Sequence, residues 1–315
     1  MQPKIVALGG GHGLAATLSA VREITTEITA IVTVADNGGS SGRLREEFSI
    51  LPPGDLRMAL AALCSQDEWG RSWARIMQHR FTSEGPLNGH AVGNLLLAAL
   101  WDRDDDPVVG LDRVGSLLKV IGRVLPMSSM PLDIEATFSL DGAERSVQGQ
   151  AQVAGARGKL LSLRILPANP PALPESCTAI RQADWVVMGP GSWFSSVLPH
   201  LLVPEQLKSL TETSARRILI LNLDATANSQ AGEYAGYTAE EHCQLFAQYA
   251  PNLRIDFVVV ETEVVENLVN LRSTVEALGG ELVIADLRAT PGGVHHDVKK
   301  LALTFGNIMT KSLIG

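Results

Sequence analysis

Two short apolar segments near the start of the chain, residues 4–8 and 28–34, each run directly into a cluster of glycines. Buried strands of parallel sheets are apolar on both faces and end in tight turns, so this pattern predicts strands. Residues 14–24, between them, carry apolar side chains at helical spacing and predict a helix. The opening therefore predicts a strand–loop–helix–strand unit, which points to an α/β fold with a parallel sheet.

The same alternation returns in the second half of the chain, where apolar strands again end in small or polar residues. Apolar-periodic helices are predicted before it, at 56–64 with Asp55 as the N-cap, at 89–101 and at 111–124. The further predicted strands are residues 184–188, 217–223, 254–260 and 282–286, with helices at 204–213, 239–249 and 264–277.

Residues 132–166 have a different character, because apolar and polar side chains alternate there. Asp141-Gly142 is a hairpin turn signal, and residues 144–153 and 159–166 read as the following strands. We therefore expect one Rossmann-like domain over residues 1–315, with a small antiparallel β insertion at 132–166.

Charge and cysteine content exclude several classes of protein. The chain has 315 residues, with 26 Lys plus Arg against 34 Asp plus Glu and a net charge of −8. General binding to nucleic acid requires a basic surface and is not expected. Cys64, Cys177 and Cys243 are too scattered for a disulfide framework. No signal peptide and no apolar run of about 20 residues is present, so we expect a cytoplasmic protein without membrane insertion.

The first glycine cluster, residues 9–13, lies between a strand and a helix. Gly11, Gly13 and Ala16 match the loose pattern of a dinucleotide-binding loop. Glycine lets the backbone approach a phosphate, and the helix that follows offers free amide groups. A tight turn without a ligand is the alternative.

The second cluster, residues 36–45, is richer than a plain nucleotide fold requires. Asp36 ends the second strand, where an acid contacts a ribose hydroxyl in Rossmann folds, or where it holds a metal-bound phosphate. The small residues after it can form a nest of amide groups for an anion, and Arg43 and Arg45 offer guanidinium groups. A solvated surface loop is the alternative.

The third cluster, residues 189–192, again follows a strand, and Ser192 can cap the next helix. His90 and Asn94 are four residues apart on one predicted helix. Arg288 follows the last strand, while a metal site at residues 295–297 is disfavoured because adjacent side chains do not face one point. No P-loop and no nucleophile elbow is present.

These motifs occur together in an order that resembles the YvcK-type gluconeogenesis factors of bacteria, in a superfamily with CofD, the 2-phospho-L-lactate transferase. The motifs are residues 9–14, 35–45, 53–57, 89–95 and 189–192, and the resemblance extends to 230–233 and 292–297. It implies a Rossmann-like three-layer fold that binds UDP-sugars such as UDP-N-acetylglucosamine. It also implies a role in gluconeogenic growth, cell shape and envelope synthesis.

The transferase branch implies transfer of a phospholactyl group to a deazaflavin alcohol with Mg²⁺, for which Asp36 and Asp55 are the candidate ligands. Asn37 stands where the transferases carry a second acid, so the second loop resembles the YvcK branch. His12 replaces a more usual Thr, and Glu241 replaces an Asp before His242. An NAD-dependent oxidoreductase is a weaker alternative, because it leaves the second loop without a purpose.

We therefore expect a regulatory protein that binds a nucleotide sugar, without an assigned catalytic residue or a firmly bound cofactor. A homodimer and regulatory protein partners are further expectations. Ser40, Ser41 and Arg43 would hold anionic oxygens, and the glycines would approach the diphosphate or uridine. The candidate ligand-binding residues are Gly10, Gly11, His12, Gly13, Asp36, Asn37, Gly38, Gly39, Ser40, Ser41, Arg43, Asp55, Arg57, His90, Asn94, Gly189, Gly191, Ser192 and Arg288.

Overall fold

A seven-stranded, entirely parallel sheet forms the centre of the computed structural model, which describes residues 2–104, 106–226 and 236–314. Its strands lie in the order β3-β2-β1-β7-β8-β9-β10. The strands are β1 (Ile5–Gly9), β2 (Ile28–Val32), β3 (Arg123–Pro126), β7 (Trp185–Met188), β8 (Arg216–Ile220), β9 (Phe257–Glu261) and β10 (Glu281–Ala285).

Helices cover both faces of this sheet. Every residue of β1 and β7 is buried although successive side chains point to opposite faces, as a three-layer α/β fold requires. The helices are α1 (Gly11–Val21), α2 (Gly39–Phe48), α3 (Pro53–Leu63), α4 (Glu68–Gln78), α5 (Val92–Asp104), α6 (Pro107–Leu118), α7 (Gln150–Ala154), α8 (Pro174–Gln182), α9 (Pro204–Glu212), α10 (Ala239–Tyr249), α11 (Leu268–Ala277) and α12 (Val298–Ile314).

The strand order reverses at the centre of the sheet. From β1 the chain moves outward through β2 to β3, and it returns to the other side of β1 as β7 before continuing to β10. Ligands of open α/β sheets bind beyond the carboxyl ends of the strands at such a switch point. The fold therefore directs attention to the loops that follow β1 and β7.

The antiparallel insertion is confirmed as a three-stranded sheet, in the order β5-β4-β6, beside the main sheet. Its strands are β4 (Asp133–Leu140), β5 (Ala143–Gln148) and β6 (Lys159–Leu166). Asp141 and Gly142 have φ values of 52° and 80°, the positive angles of the predicted two-residue hairpin turn. The strand predicted at 144–153 ends at Gln148, because Gly149 (φ 97°) turns the chain into α7.

Several boundary predictions are wrong. The helix predicted at 111–124 ends at Leu118, where Lys119 adopts a left-handed conformation and the chain turns into β3. Asp55 does not cap a helix from residue 56, because α3 starts three residues earlier at Pro53, whose φ suits a first helical position. The second glycine cluster, residues 36–45, was expected as a loop, but α2 begins within it at Gly39.

Across the described ranges, no helix is both long and apolar enough to span a membrane. The segment 230–233, which contributed to the family resemblance, lies outside the described residues.

Candidate functional site

The first and third glycine loops pack against each other at the switch point. A Cβ added at Gly13 would lie 2.6 Å from the carbonyl carbon of Pro190 and 2.7 Å from Cα of Gly191, and closer still to the Pro190 oxygen. Only glycine therefore lets α1 approach the loop after β7 this closely. The contact holds the start of α1 and the 189–191 loop side by side.

A cavity of about 470 Å³ opens between these loops. The amide groups of His12 and Gly13 lie in the first turn of α1, where helices have free N–H donors, whereas the Gly11 amide already donates to Asp55. Such an end is suited to an anionic group. The cavity is lined by Gly10, Gly11, His12, Gly13, Ala16, Gln150, Pro190, Gly191, Ser192, Ser196, Asn222, Leu223, Asp224, Val294, His295 and His296.

A larger cleft, of about 680 Å³, opens at the opposite edge of the sheet near the first residues of β1 and β2. It contains none of the glycine clusters. Because ligands of this sheet type bind at the carboxyl ends of the strands, we place the functional site in the smaller cavity.

Asn222 holds the third loop in place and was not among the predicted site residues. Its Oδ1 accepts from the Gly191 amide at 3.0 Å, and its Nδ2 donates to the Gly191 carbonyl at 2.7 Å. The side chain thus pairs with Gly191 as a strand backbone would. The sequence did place Asn222 at the end of a strand, and this position was the signal that could have identified it.

Two carboxylates adjoin the first loop. Asp55 is buried beneath Gly10, accepts from the Gly11 amide and lies 3.4 Å from Thr33 Oγ1. Burial, followed by the negative charge of Asp36, raises the pKa of Asp55 to about 7. Asp36 Oδ1 accepts from the Gly38 amide at 2.8 Å. The predicted acids are therefore close enough to act on each other electrostatically, and one of them is poised to exchange a proton near neutral pH.

A buried chain of hydrogen bonds runs behind these acids. Arg57 Nε donates to Asn94 Oδ1 at 2.8 Å, and Asn94 Nδ2 donates to Ser40 Oγ at 3.0 Å. This leaves the Ser40 hydroxyl free to donate to His90 Nδ1, which is 3.0 Å away. Burial lowers the pKa of His90, consistent with a neutral ring. Four predicted residues from three helices and a loop are thus joined.

Arg57 is the most constrained member of this chain. Its side chain is buried, and its Nη1 has no hydrogen-bond partner within the described part of the chain. Burial, and then the positive charge of Arg80, lowers its pKa to about 10, while Asp55 and Asp36 act in the opposite direction. Arg57 does not line the cavity, so its charge acts on Asp55 and Asp36 from behind the first loop.

Replacing Asn94 by alanine tests this chain. We expect a loss of about 2–3 kcal/mol in the free energy of unfolding, because Arg57 Nε and Ser40 Oγ both lose a buried partner. Urea unfolding measures it. Gln248→Ala, which removes an exposed carboxamide from α10, should change stability by less than about 0.5 kcal/mol. Equal effects of the two substitutions would show that the buried chain contributes little.

Three predicted ligand residues contact protein groups instead. Asn37 Oδ1 accepts from the Ala151 amide at 3.3 Å, at the start of α7. Arg43 donates to the carbonyls of Pro86 and Asn88, at 3.0 and 2.7 Å, and does not line the cavity. Both of these Arg43 contacts are thus to backbone carbonyls outside the cavity.

Arg288 is also engaged by the protein itself. It donates to the carbonyls of Leu223 and Gly293, and its Nε is 2.8 Å from Glu263 Oε2 in an ion pair without hydrogen-bond alignment. Asp224, on the cavity wall, is 3.7 Å from its Nη1. Arg288 thus supports the wall of the cavity rather than its interior.

The remaining predicted residues shape the loops. Gly189 (φ 77°) lies against the Ile220 carbonyl, and Ser192 caps the π-helical turn Trp193–Val197, as predicted. Gly38 precedes α2 as its N-cap, and Gly39 (φ 48°) opens it. Among the residues that the structure describes, no group of three or more His, Cys, Asp or Glu side chains is arranged to hold a metal ion.

His200 supports the first loop from below. Its Nδ1 is 2.7 Å from Gln206 Nε2, and its Nε2 is 3.5 Å from the Gly9 carbonyl. The Gln206 donor makes Nδ1 the acceptor and leaves the proton on Nε2, toward Gly9. Burial lowers the pKa of His200 to about 4 from 6.5.

This neutral histidine predicts a loss of stability in acid. Because the folded pKa lies below the unfolded one, its contribution is complete above pH 6.5 and is lost as the pH falls toward 4. We expect wild type to lose on the order of 2–3 kcal/mol more than His200→Gln between pH 7 and pH 4.5. Urea unfolding at both values checks this, and parallel curves would contradict it.

Comparisons with known proteins identify the family of this chain. Residues 5–292 match the family model described as 2-phospho-L-lactate transferase CofD. A Mycobacterium tuberculosis protein named "Putative gluconeogenesis factor" is 48% identical over 320 residues, covering 99% of this chain and 92% of its own. A Bacillus subtilis protein named "Gluconeogenesis factor" is 37% identical over 262 residues, covering 83% of this chain and 80% of its own.

A solved structure supports the same assignment. A UPF0052 family member from Bacillus halodurans superposes with a TM-score of 0.83 at 33% identity, covering 96% of this chain and 98% of that one. Sequence and fold therefore agree over nearly the whole length. The chain belongs to the CofD family, and its relatives in that family include the YvcK-type gluconeogenesis factors.

Proposed function

We propose that this protein is a cytoplasmic regulator that binds a UDP-sugar of the UDP-N-acetylglucosamine type and supports growth on gluconeogenic carbon. The observation that carries the proposal is the cavity at the switch point, where the first turn of α1, with the amides of His12 and Gly13, faces the third glycine loop. The relatives named gluconeogenesis factors supply the cellular role. Roles in cell shape and envelope synthesis belong to the same proposal.

The diphosphate of the ligand would lie against the free amides of α1. This placement uses Gly11 and Gly13 for close approach, and Ser192 for a hydroxyl contact from the facing wall. A cavity of about 470 Å³ is within the usual range for small-molecule sites. Arg57 would offset the negative charge of Asp36 and Asp55 behind the loop.

Calorimetric titration with UDP-N-acetylglucosamine tests the binding part. We expect saturable binding without turnover, and weaker binding of GDP used as the control. A titration in which neither UDP-N-acetylglucosamine nor UDP produces heat would overturn the assignment. Growth of a strain lacking the gene, on gluconeogenic and glycolytic carbon sources, tests the cellular part separately.

A second candidate, a phospholactyl transferase, is favoured by one observation, the proximity of Asp36 and Asp55. Two carboxylates can hold a Mg²⁺ ion that keeps waters and ligand phosphates as its other partners. The ion would supply charge stabilisation at the phosphates, and Asp36 and Asp55 would hold it in their ionised forms. Mg²⁺-dependent formation of product from a phospholactyl nucleotide donor and a deazaflavin alcohol would support it.

A further inference from the structure

The antiparallel insertion reaches the cavity through a single residue. Of residues 132–166, all of which the structure describes, only Gln150 lines the cavity. Residues of the first and third glycine loops line the same cavity. Gln150 is the first residue of α7 and is half-buried. Its carboxamide offers both donors and an acceptor but no charge.

Asn37 holds this part of the insertion against the second loop. Its Oδ1 accepts from the Ala151 amide at 3.3 Å, and its Nδ2 is 3.5 Å from Gln152 Oε1. Gly149, just before α7, has φ 97° and touches the Asn37 amide so closely that a Cβ would clash with it. The position of Gln150 is therefore set by a specific contact with the main domain.

A second contact supports the same position. The α7 helix packs against the π-helical turn Trp193–Val197, whose N-cap Ser192 also lines the cavity. Gln150 is thus placed between two elements that belong to the binding loops. An insertion held on both sides in this way presents Gln150 to a ligand in a defined position.

We propose that Gln150 determines ligand specificity and that Asn37 is its positioning residue. This inference rests on the proposed binding of a UDP-sugar. Phosphates are served by the amides of α1, so the neutral carboxamide of Gln150 pairs with an amide-type N–H and C=O of the ligand. Both the uracil ring and the acetamido group of the sugar carry that chemistry.

Calorimetry with UDP-N-acetylglucosamine and UDP-glucose distinguishes the two sources. Gln150→Ala should weaken binding of UDP-N-acetylglucosamine by about three- to tenfold, the loss expected for one or two neutral hydrogen bonds. An equal loss for UDP-glucose identifies the uracil ring, and no loss for UDP-glucose identifies the acetamido group. Gln148→Ala, an exposed glutamine two residues earlier on β5, is the matched control and should leave both affinities unchanged.

The role of Asn37 is tested by its dependence on Gln150. Asn37→Leu should weaken binding in the wild-type background but cause no further loss when Gln150 is already alanine. Additive losses would show that Asn37 does not act through Gln150. If wild type binds UDP-N-acetylglucosamine and Gln150→Ala binds it with the same affinity, this inference alone is overturned. If wild type does not bind it, the proposed function is overturned as well.

Discussion

Replacing Gly13 by alanine is expected to destabilise the protein by about 3 kcal/mol or more and to weaken ligand binding at least tenfold. The added methyl group meets backbone atoms, at 2.6 Å from the Pro190 carbonyl carbon and 2.7 Å from Gly191 Cα, and no side chain can rotate to relieve the clash. The loops on the two walls must then separate. Urea unfolding and calorimetry with UDP-N-acetylglucosamine measure the two effects.

The control for this substitution is Gly306→Ala in α12. No atom lies within 4 Å of the position that its methyl group would take, and alanine is the better helix former. We expect Gly306→Ala to raise stability by about 0.5–1 kcal/mol and to leave binding unchanged. If Gly13→Ala behaves like Gly306→Ala, the loops after β1 and β7 are not in contact as described.

Replacing Asp55 by asparagine is expected to stabilise the protein, increasingly so as the pH rises. Burial and the charge of Asp36 raise the pKa of Asp55 to about 7 from 3.8. Its stabilising contribution is therefore complete below pH 3.8 and is lost as the pH rises through 7, whereas asparagine stays neutral. The gain of the variant should approach on the order of 4 kcal/mol above pH 7.

Urea unfolding of wild type and Asp55→Asn at pH 5 and pH 8 measures this difference. Comparing two proteins at each pH cancels the titration of the histidines, which have the opposite pH dependence. Asp102→Asn, at an exposed position on α5, is the control and should give the same small difference at both values. A gain in stability accompanied by a loss of binding would mark Asp55 as an acid retained for function.

The sequence predicted the parallel core because its strands are short apolar runs that end in glycine or small polar residues. This pattern is typical of buried parallel strands. It missed β3 because residues 120–124 continue the apolar spacing of α6. No glycine or proline lies between the end of α6 and Gly122 to mark the end of the helix. It missed α2 because glycine and serine disfavour helices, and tertiary contacts decide there. Local propensity was therefore informative only where it agreed with packing.

In the candidate site, too, residues placed by local sequence were predictable, and residues placed by tertiary contacts were not. Gly10, Gly13, Gly191 and Ser192 were predictable, since a loop after a parallel strand faces the crevice wherever the other strands lie. Asn222 was missed although it was placed at a strand end, because its role depends on pairing with a residue 31 positions away. Gln150 was missed because its position depends on the docking of the insertion. Asn37 was read as a ligand group, but its amide binds the start of α7.

The two ends of the insertion lie side by side, since Asp133 at its start is paired with Leu166 at its end. A segment that leaves and rejoins a domain at neighbouring points can change in length without stretching the strands around it. The insertion can therefore be exchanged as a unit, as antibody loops are exchanged on a constant framework. Exchange of this segment would leave the glycine loops of the main sheet in place.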